Sequence, residues 1–388
     1  MQTVDPREVG LDTARVDHLF SVIEDKITQG WLFGGTFLIA RRGKIVAARA
    51  LGQAEPQKGR TAKTDDVFCL FSTSKPITAT MLLMKVDQGD VQLFNKVADY
   101  IPEFAAAGKS SVTVSQVLTH TAGFPNMALD WPMSKWDDWD ATIARICAQP
   151  LEFEPGTAVH YHALTGSWIL AEIARRVGGG QRSFAQMCAE DLYGPLGMKD
   201  SHMGVRPDMQ ERRVPVQALD EGGVPFPMSF LEAFNAPEVQ AAAIPGGGSY
   251  STIFDLARFY QMWLNGGELD GVRLLGRMTV DLMISNHTDD KSVYIRGDGY
   301  GFGLGFGVLV DPTKSLDTLS PGSYGWGGAF GTLYWGDPAE DLIGLMFIQL
   351  RGHGPLNIRQ RFTNVVSQAV VDSVADQKPT VRGYAVPQ

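Results

Sequence analysis

From Ile77 to Val86 the chain carries apolar residues on nearly all sides of a helix: Ile77, Ala79, Met81, Leu82, Leu83, Met84 and Val86. A helix with no polar face has no place on a surface and must be enclosed by other layers. The pattern predicts a helix over 72–88, ended by Gly89. With 388 residues, 44% of them hydrophobic, the chain is long enough to supply that enclosure.

The flanking segments suggest what encloses it. Residues 11–30 have apolar positions at helical spacing, with Gly30 at the end. Gly35–Ala40 and Lys44–Ala48 read as two strands joined by Arg41-Arg42-Gly43, a hairpin. Strand signals return late, at Phe306–Val310, and at Gly331–Trp335 with Leu342–Ile348 around Gly336-Asp337-Pro338; 357–373 reads as a closing amphipathic helix. Between them, roughly 90–290, helical patches alternate with Pro/Gly-marked loops, and 286–300 is polar enough for an exposed loop. No repeat or low-complexity segment interrupts this order. The expected fold class is α/β in the α+β sense, an antiparallel sheet flanked by helices. Residues 1–90 and 295–388 would form one domain and 91–294 a mainly helical inserted domain, with a site in the cleft between.

Charge and cysteine usage exclude several functions. The net charge is −9 and no long basic cluster offsets it, so no nucleic-acid partner is expected. There is no apolar run of about 18 residues, hence no membrane span, and Met1–Arg7 has no secretory-leader pattern. Cys69, Cys147 and Cys188 are too few and too far apart for a disulfide framework or a zinc site. Reduced, buried thiols, no cofactor, no metal and a cytoplasmic location are the expectation. Cys69 lies close to Ser72, which leaves inhibition by thiol reagents open.

The chemistry centres on Leu70-Phe71-Ser72-Thr73-Ser74-Lys75. Ser72 is the only serine with a lysine three residues on. At the start of a helix, i and i+3 share a face. The helix N-terminus favours negative charge near the serine oxygen and offers backbone N–H groups to an oxyanion. A lysine in the first turn of an apolar helix is costly unless it has a partner or a task, and desolvation makes a lysine amine a better base. On this segment alone, an N-capping Ser72 with a solvent-directed Lys75 stands equally open.

Further segments, in order, give the chain a resemblance to the serine β-lactamases and penicillin-binding proteins, where S-x-x-K opens the central helix. These are Leu93 with Val97 and Tyr100–Phe104, Leu118-Thr119-His120-Thr121-Ala122-Gly123, Glu154-Pro155-Gly156 leading to Tyr161, and Gly246–Thr252 followed by Asp255–Phe259. Two departures narrow the resemblance. The family's Y-x-N is here Tyr161-His162-Ala163, and its K-T-G is Trp326-Gly327-Gly328. The W-G-G form is similar to the family VIII carboxylesterases, which share the class C β-lactamase fold.

The resemblance implies a serine carboxylesterase. Ser72 would be the nucleophile, Lys75 and Tyr161 the proton-handling pair, and the backbone N–H groups of Ser72 and Ala329 the oxyanion hole. Trp326 and Ala163 offer neither the cation nor the amide that bind an antibiotic, and each lost hydrogen bond to a charged group costs roughly 1.5–3 kcal/mol. Small to medium neutral esters are therefore expected as substrates. Substrate contacts are expected from Trp326, Gly327, Gly328, Phe124, Trp131 and His162. The bulky run Phe124–Trp139 reads either as an acyl pocket or, for Trp136 and Trp139, as core. No G-x-S-x-G elbow is present, His120 reads as structural, and His160-x-His162 lacks further metal ligands. β-Lactamase, D-aminoacyl peptidase, acyltransferase and non-enzymatic binding functions stay as alternatives on the same fold, and a homo-oligomer is left open.

Overall fold

The computed structural model describes residues 1–126, 132–219, 228–291, 293–352 and 357–372. Its centre is an eight-stranded antiparallel sheet. The strands are β1 (Gly34–Arg41), β2 (Lys44–Glu55), β3 (Arg60–Thr61), β4 (Tyr300–Phe302), β5 (Gly307–Leu309), β6 (Tyr324–Gly327), β7 (Leu333–Asp337) and β8 (Leu342–Phe347). Their spatial order is β4-β5-β6-β7-β8-β1-β2-β3, so β8 pairs with β1 and joins the two ends of the chain. The β1–β2 turn works because Arg42 and Gly43 both take positive φ, 51° and 74°, the twist that a two-residue hairpin needs.

Side chains alternate across the sheet with period two. Phe37, Ile39, Trp335 and Met346 face one way, against α1 (Thr13–Thr28) and the C-terminal helix Ile358–Ser367. Leu38, Tyr334, Leu345 and Phe347 face the other, into the large core built around the helix predicted from the apolar run. That helix, α2 (Lys75–Asp87), is buried at every residue from Lys75 to Leu83. It packs on α3 (Thr165–Val177), while α4 (Ile253–Leu264) covers β1 and β8 on the same side; the C-terminal helix is α5.

Several boundaries differ from the sequence reading. The helix expected from residue 72 begins at Lys75, because Phe71–Ser74 forms a 3-10 turn closed by the Thr73 N–H on the Leu70 carbonyl. The late hairpin is shifted to Leu333–Asp337, and the closing helix is shorter than 357–373. A small sheet of Phe68–Cys69, Ser249–Ser251 and His202–Met203 carries the Gly246–Thr252 block to the segment before Ser72. Arg41, fully buried, staples the chain ends: it pairs with Glu340 at 2.6 Å and Asp372 at 2.7 Å and donates to the carbonyls of Val9 and Gly10. No helix among the described residues is long and apolar enough to cross a membrane.

Candidate active site

Ser72 lies in the 3-10 turn that feeds α2, directly after Phe71. Phe71 has a φ of 48°, a left-handed conformation that is strained for a residue with a Cβ. Its ring is packed between Phe234 (4.9 Å) and Phe330 (4.7 Å), contacts that pin the bend. The bend presents Ser72 at the start of the helix while its neighbours Phe71, Thr73 and Ser74 stay buried.

The structure brings Ser72, Lys75 and Tyr161 together. Tyr161 Oη donates to Ser72 Oγ at 2.9 Å, and Lys75 Nζ lies 3.2 Å from the same oxygen. Lys75 is 3% exposed. Two main-chain carbonyls receive its amine, Ala163 at 2.5 Å and Gly246 at 2.9 Å. A lysine nitrogen has four tetrahedral positions. Cε takes one and the two carbonyls take two, so the fourth is aimed at Ser72 Oγ. Whether that position carries a proton or a lone pair decides whether the amine donates to the serine or accepts from it.

Trp326 stands on β6, its side chain on the same sheet face as α2. Its indole N–H donates to Tyr161 Oη at 3.1 Å, and the two rings lie 5.3 Å apart. Beyond it Gly327 and Gly328 permit close approach. A Cβ on Gly328 would lie 2.6 Å from the Leu70 carbonyl oxygen and 3.1 Å from Phe71 Cβ. Thr332 Oγ1 donates to the same Leu70 carbonyl at 2.8 Å. The Gly328–Thr332 turn, which contains Ala329, is therefore laid directly against the segment that carries Ser72.

Other expected contacts are placed elsewhere. Phe124 and His162 are buried in the core, stacked on each other at 4.4 Å and 15°. His162 also packs edge-on to His120 at 5.5 Å and Phe124 to Phe104 at 5.4 Å, so both rings are taken up by core packing and offer no surface to a ligand. Burial pushes the His162 imidazole down to about 3, so it is neutral. Trp131 falls outside the described residues. Trp136 and Trp139 face the core; Trp139 packs on Trp168 at 4.6 Å and donates to Glu172 at 2.8 Å. The Cys69 thiol is fully buried beside the Gly247 carbonyl, and burial pushes it up to about 11, which leaves little thiolate for a reagent.

Two arginines near the site were not anticipated. Arg296, from the loop read as exposed, lies 4.1 Å over the Tyr300 ring and 5.9 Å from that of Trp326. Arg359, in the first turn of α5, donates to the carbonyls of Gly328 and Thr332. Burial, helped by the charge of Arg296, pushes the Arg359 guanidinium down to about 10. Its task is to hold the turn after Trp326. Carbonyl acceptors leave no mark in a sequence, so neither this brace nor the Ala163–Gly246 cradle is visible there; the triple glycine 246–248 was the one available hint.

The chain is similar over most of its length to several known proteins. A profile of the Beta-lactamase family matches residues 19–364. Esterase EstB of Burkholderia gladioli is 28% identical over 92% of this chain and 97% of its own length. A penicillin-binding protein homologue from Caulobacter crescentus superposes with a TM-score of 0.77 at 27% identity, covering 92% of this chain and 99% of that one. A family VIII carboxylesterase superposes with a TM-score of 0.74 at 26% identity, covering 92% and 97%. The chain belongs to the Beta-lactamase family and is a serine hydrolase.

Proposed function

We propose that this hydrolase is a carboxylesterase of small to medium neutral esters that works through an acyl-enzyme on Ser72. The observation that carries the reading is the convergence of Tyr161 Oη and Lys75 Nζ on one serine oxygen, beside an uncharged Trp326. Resemblance to an esterase and to a family VIII carboxylesterase supports it.

Ser72 Oγ attacks the ester carbonyl carbon while its proton passes to the Tyr161–Lys75 pair. The carbonyl oxygen becomes an oxyanion held by the backbone N–H groups of Ser72 and Ala329. One such donor is worth about 10²–10³ in rate. The pair returns the proton to the leaving alcohol as the C–O bond breaks. Water then attacks the acyl-enzyme, the pair takes its proton, and the acid leaves with Ser72 restored. Trp326 offers no cation for a substrate carboxylate, the guanidinium of Arg359 is committed to two carbonyls and that of Arg296 is stacked over the Tyr300 ring, which together favour esters without a carboxylate.

The test is a panel of 4-nitrophenyl esters of graded acyl length beside a chromogenic cephalosporin, with mass analysis of the Ser72 peptide. Ester turnover with an acyl mass on that peptide is expected. Faster cephalosporin turnover, or acylation elsewhere, overturns the reading. Ser72→Ala should abolish turnover and Tyr161→Phe should lower it by about 10²-fold or more.

A further inference from the structure

Both chain neighbours of Tyr161 are tied to a single residue from a distant segment. The His160 N–H donates to the main-chain carbonyl of His120 at 2.8 Å. The His162 N–H donates to the His120 side chain, at Nδ1, at 3.2 Å. Tyr161 is thus held between one bond to the backbone of His120 and one to its ring.

The ring itself completes the hold. His120 lies edge-on to Tyr161 at 4.8 Å and to Phe302 at 4.9 Å. Phe302 lies 5.1 Å from Trp326, and Trp326 5.3 Å from Tyr161. Tyr161 closes a circuit with these three rings, touching His120 and Trp326, and its hydroxyl is left facing Ser72 Oγ and the Trp326 N–H. A phenol caught this way has little freedom to rotate from the serine, and small misplacements of a reacting group are costly in rate.

His120 occupies this position against its own interest. Its φ is 58°, in the left-handed region that residues with a Cβ disfavour. Since Nδ1 accepts a hydrogen bond, the neutral ring carries its proton on Nε2, and that atom is buried with no hydrogen-bond partner among the described residues. Burial, with the neighbouring His162 and Lys75, holds the imidazole well below its usual range and so keeps Nδ1 an acceptor. Strain and an unsatisfied donor that persist beside a reacting group call for an explanation by function.

We propose that His120 is a positioning residue for Tyr161, fixing the phenol against Ser72 by gripping the main chain on both sides of it and packing against its ring. The proposal rests on the reading of Tyr161 as a member of the Ser72 proton relay.

The test is a double-mutant cycle of His120→Gly and Tyr161→Phe, with His120→Asn as the rescue. Glycine tolerates positive φ but deletes the acceptor and the ring. Asparagine also tolerates positive φ and keeps a short acceptor. The readouts are kcat and KM on 4-nitrophenyl butyrate, the rate of Ser72 modification by an alkyl fluorophosphonate, and the melting temperature. His120→Gly should lower kcat and the modification rate by about 30-fold or more. KM should stay within about threefold, and His120→Asn should recover most of the loss. The double variant should be no slower than Tyr161→Phe, within about threefold. If His120→Gly does not fold, His120→Asn, which suits the positive φ and deletes the ring, takes its place in the same cycle, with a smaller fall in kcat expected. A folded variant with wild-type kcat, or losses that multiply in the double variant, overturns the proposal. An enzyme that neither hydrolyses esters nor is modified at Ser72 overturns the underlying reading, and the proposal with it.

Discussion

The indole N–H of Trp326 donates to Tyr161 Oη at 3.1 Å, while that oxygen passes its own hydrogen to Ser72 Oγ at 2.9 Å. A donor on the phenolic oxygen steadies negative charge there, the charge that would develop if Tyr161 lost its proton. Trp326→Phe keeps a ring against Tyr161 and Phe302 but removes the N–H. The expected result is a fall in kcat of about 5- to 20-fold with KM little changed. Steady-state kinetics on a 4-nitrophenyl ester checks it.

Gly327 and Gly328 should respond differently to a methyl group. On Gly328 the new Cβ meets first Thr332 Oγ1, which donates to the Leu70 carbonyl, then that main-chain oxygen itself at 2.6 Å and Phe71 Cβ at 3.1 Å. On Gly327 it meets the guanidinium of Arg359 at 2.8 Å, the far end of a long side chain that can give more than main chain can, at some loss of its hold on the Gly328 and Thr332 carbonyls. Gly328→Ala should therefore cost about 10²-fold or more in kcat/KM, by prising the oxyanion-hole turn from the nucleophile segment. Gly327→Ala should cost markedly less. Measuring both variants on one ester decides the order.

The buried His162 makes a pH prediction. Unfolded, its imidazole takes a proton near pH 6.5; folded, burial delays this to about 3. Between those values the unfolded chain binds more protons, so stability rises with pH. The contribution of His162 is complete above about pH 6.5 and is lost as the pH falls toward 3. The loss amounts to about 3 kcal/mol by pH 4.5. Asp255 works in the opposite direction over part of this range, because burial raises its carboxyl to about 6. The informative quantity is thus the difference between wild type and His162→Phe, which keeps the stack on Phe124. Urea melts from pH 7 to 4 should show the variant losing less stability on acidification.

Arg41 is predicted to matter for stability alone. Its guanidinium joins Glu340, Asp372 and the carbonyls of Val9 and Gly10, on the sheet face away from Ser72. Arg41→Met should lower unfolding stability by roughly 3 kcal/mol, leaving acceptors without a donor. The kcat of the folded variant should match wild type. Chemical denaturation together with steady-state kinetics tests both halves.

What the sequence reveals depends on how the physics is encoded. The all-round apolar run at Ile77–Val86 forces a buried helix, and the alternating segments at both ends force a sheet, so the fold class is legible. Ser72 and Lys75 are legible as a pair because i and i+3 share a face even across the 3-10 turn. Tyr161 and Trp326 have no local signal and are reached only through resemblance. The reading fails where hydrophobicity is ambiguous: Phe124 and His162 have the composition of a pocket but sit in the core. It also fails where main-chain atoms act, as with the carbonyls of Ala163 and Gly246 that aim Lys75. Arg296 and Arg359 were missed because a basic residue in a polar loop or an amphipathic helix normally points to water.

The strand order has a consequence for how the enzyme is made. Chains emerge from the ribosome N-terminus first. Ser72 and Lys75 are therefore synthesised long before β8, the strand that lies between β1 and β7. Until residue 347 is free of the exit tunnel, one edge of β1 has no partner and the site lacks the sheet that holds Trp326. The nascent chain thus carries its nucleophile without the means to use it, and a ribosome-bound intermediate is a hydrolase in sequence only. The price is an apolar strand edge left open during synthesis, where Phe37, Leu38 and Ile39 wait for their mate.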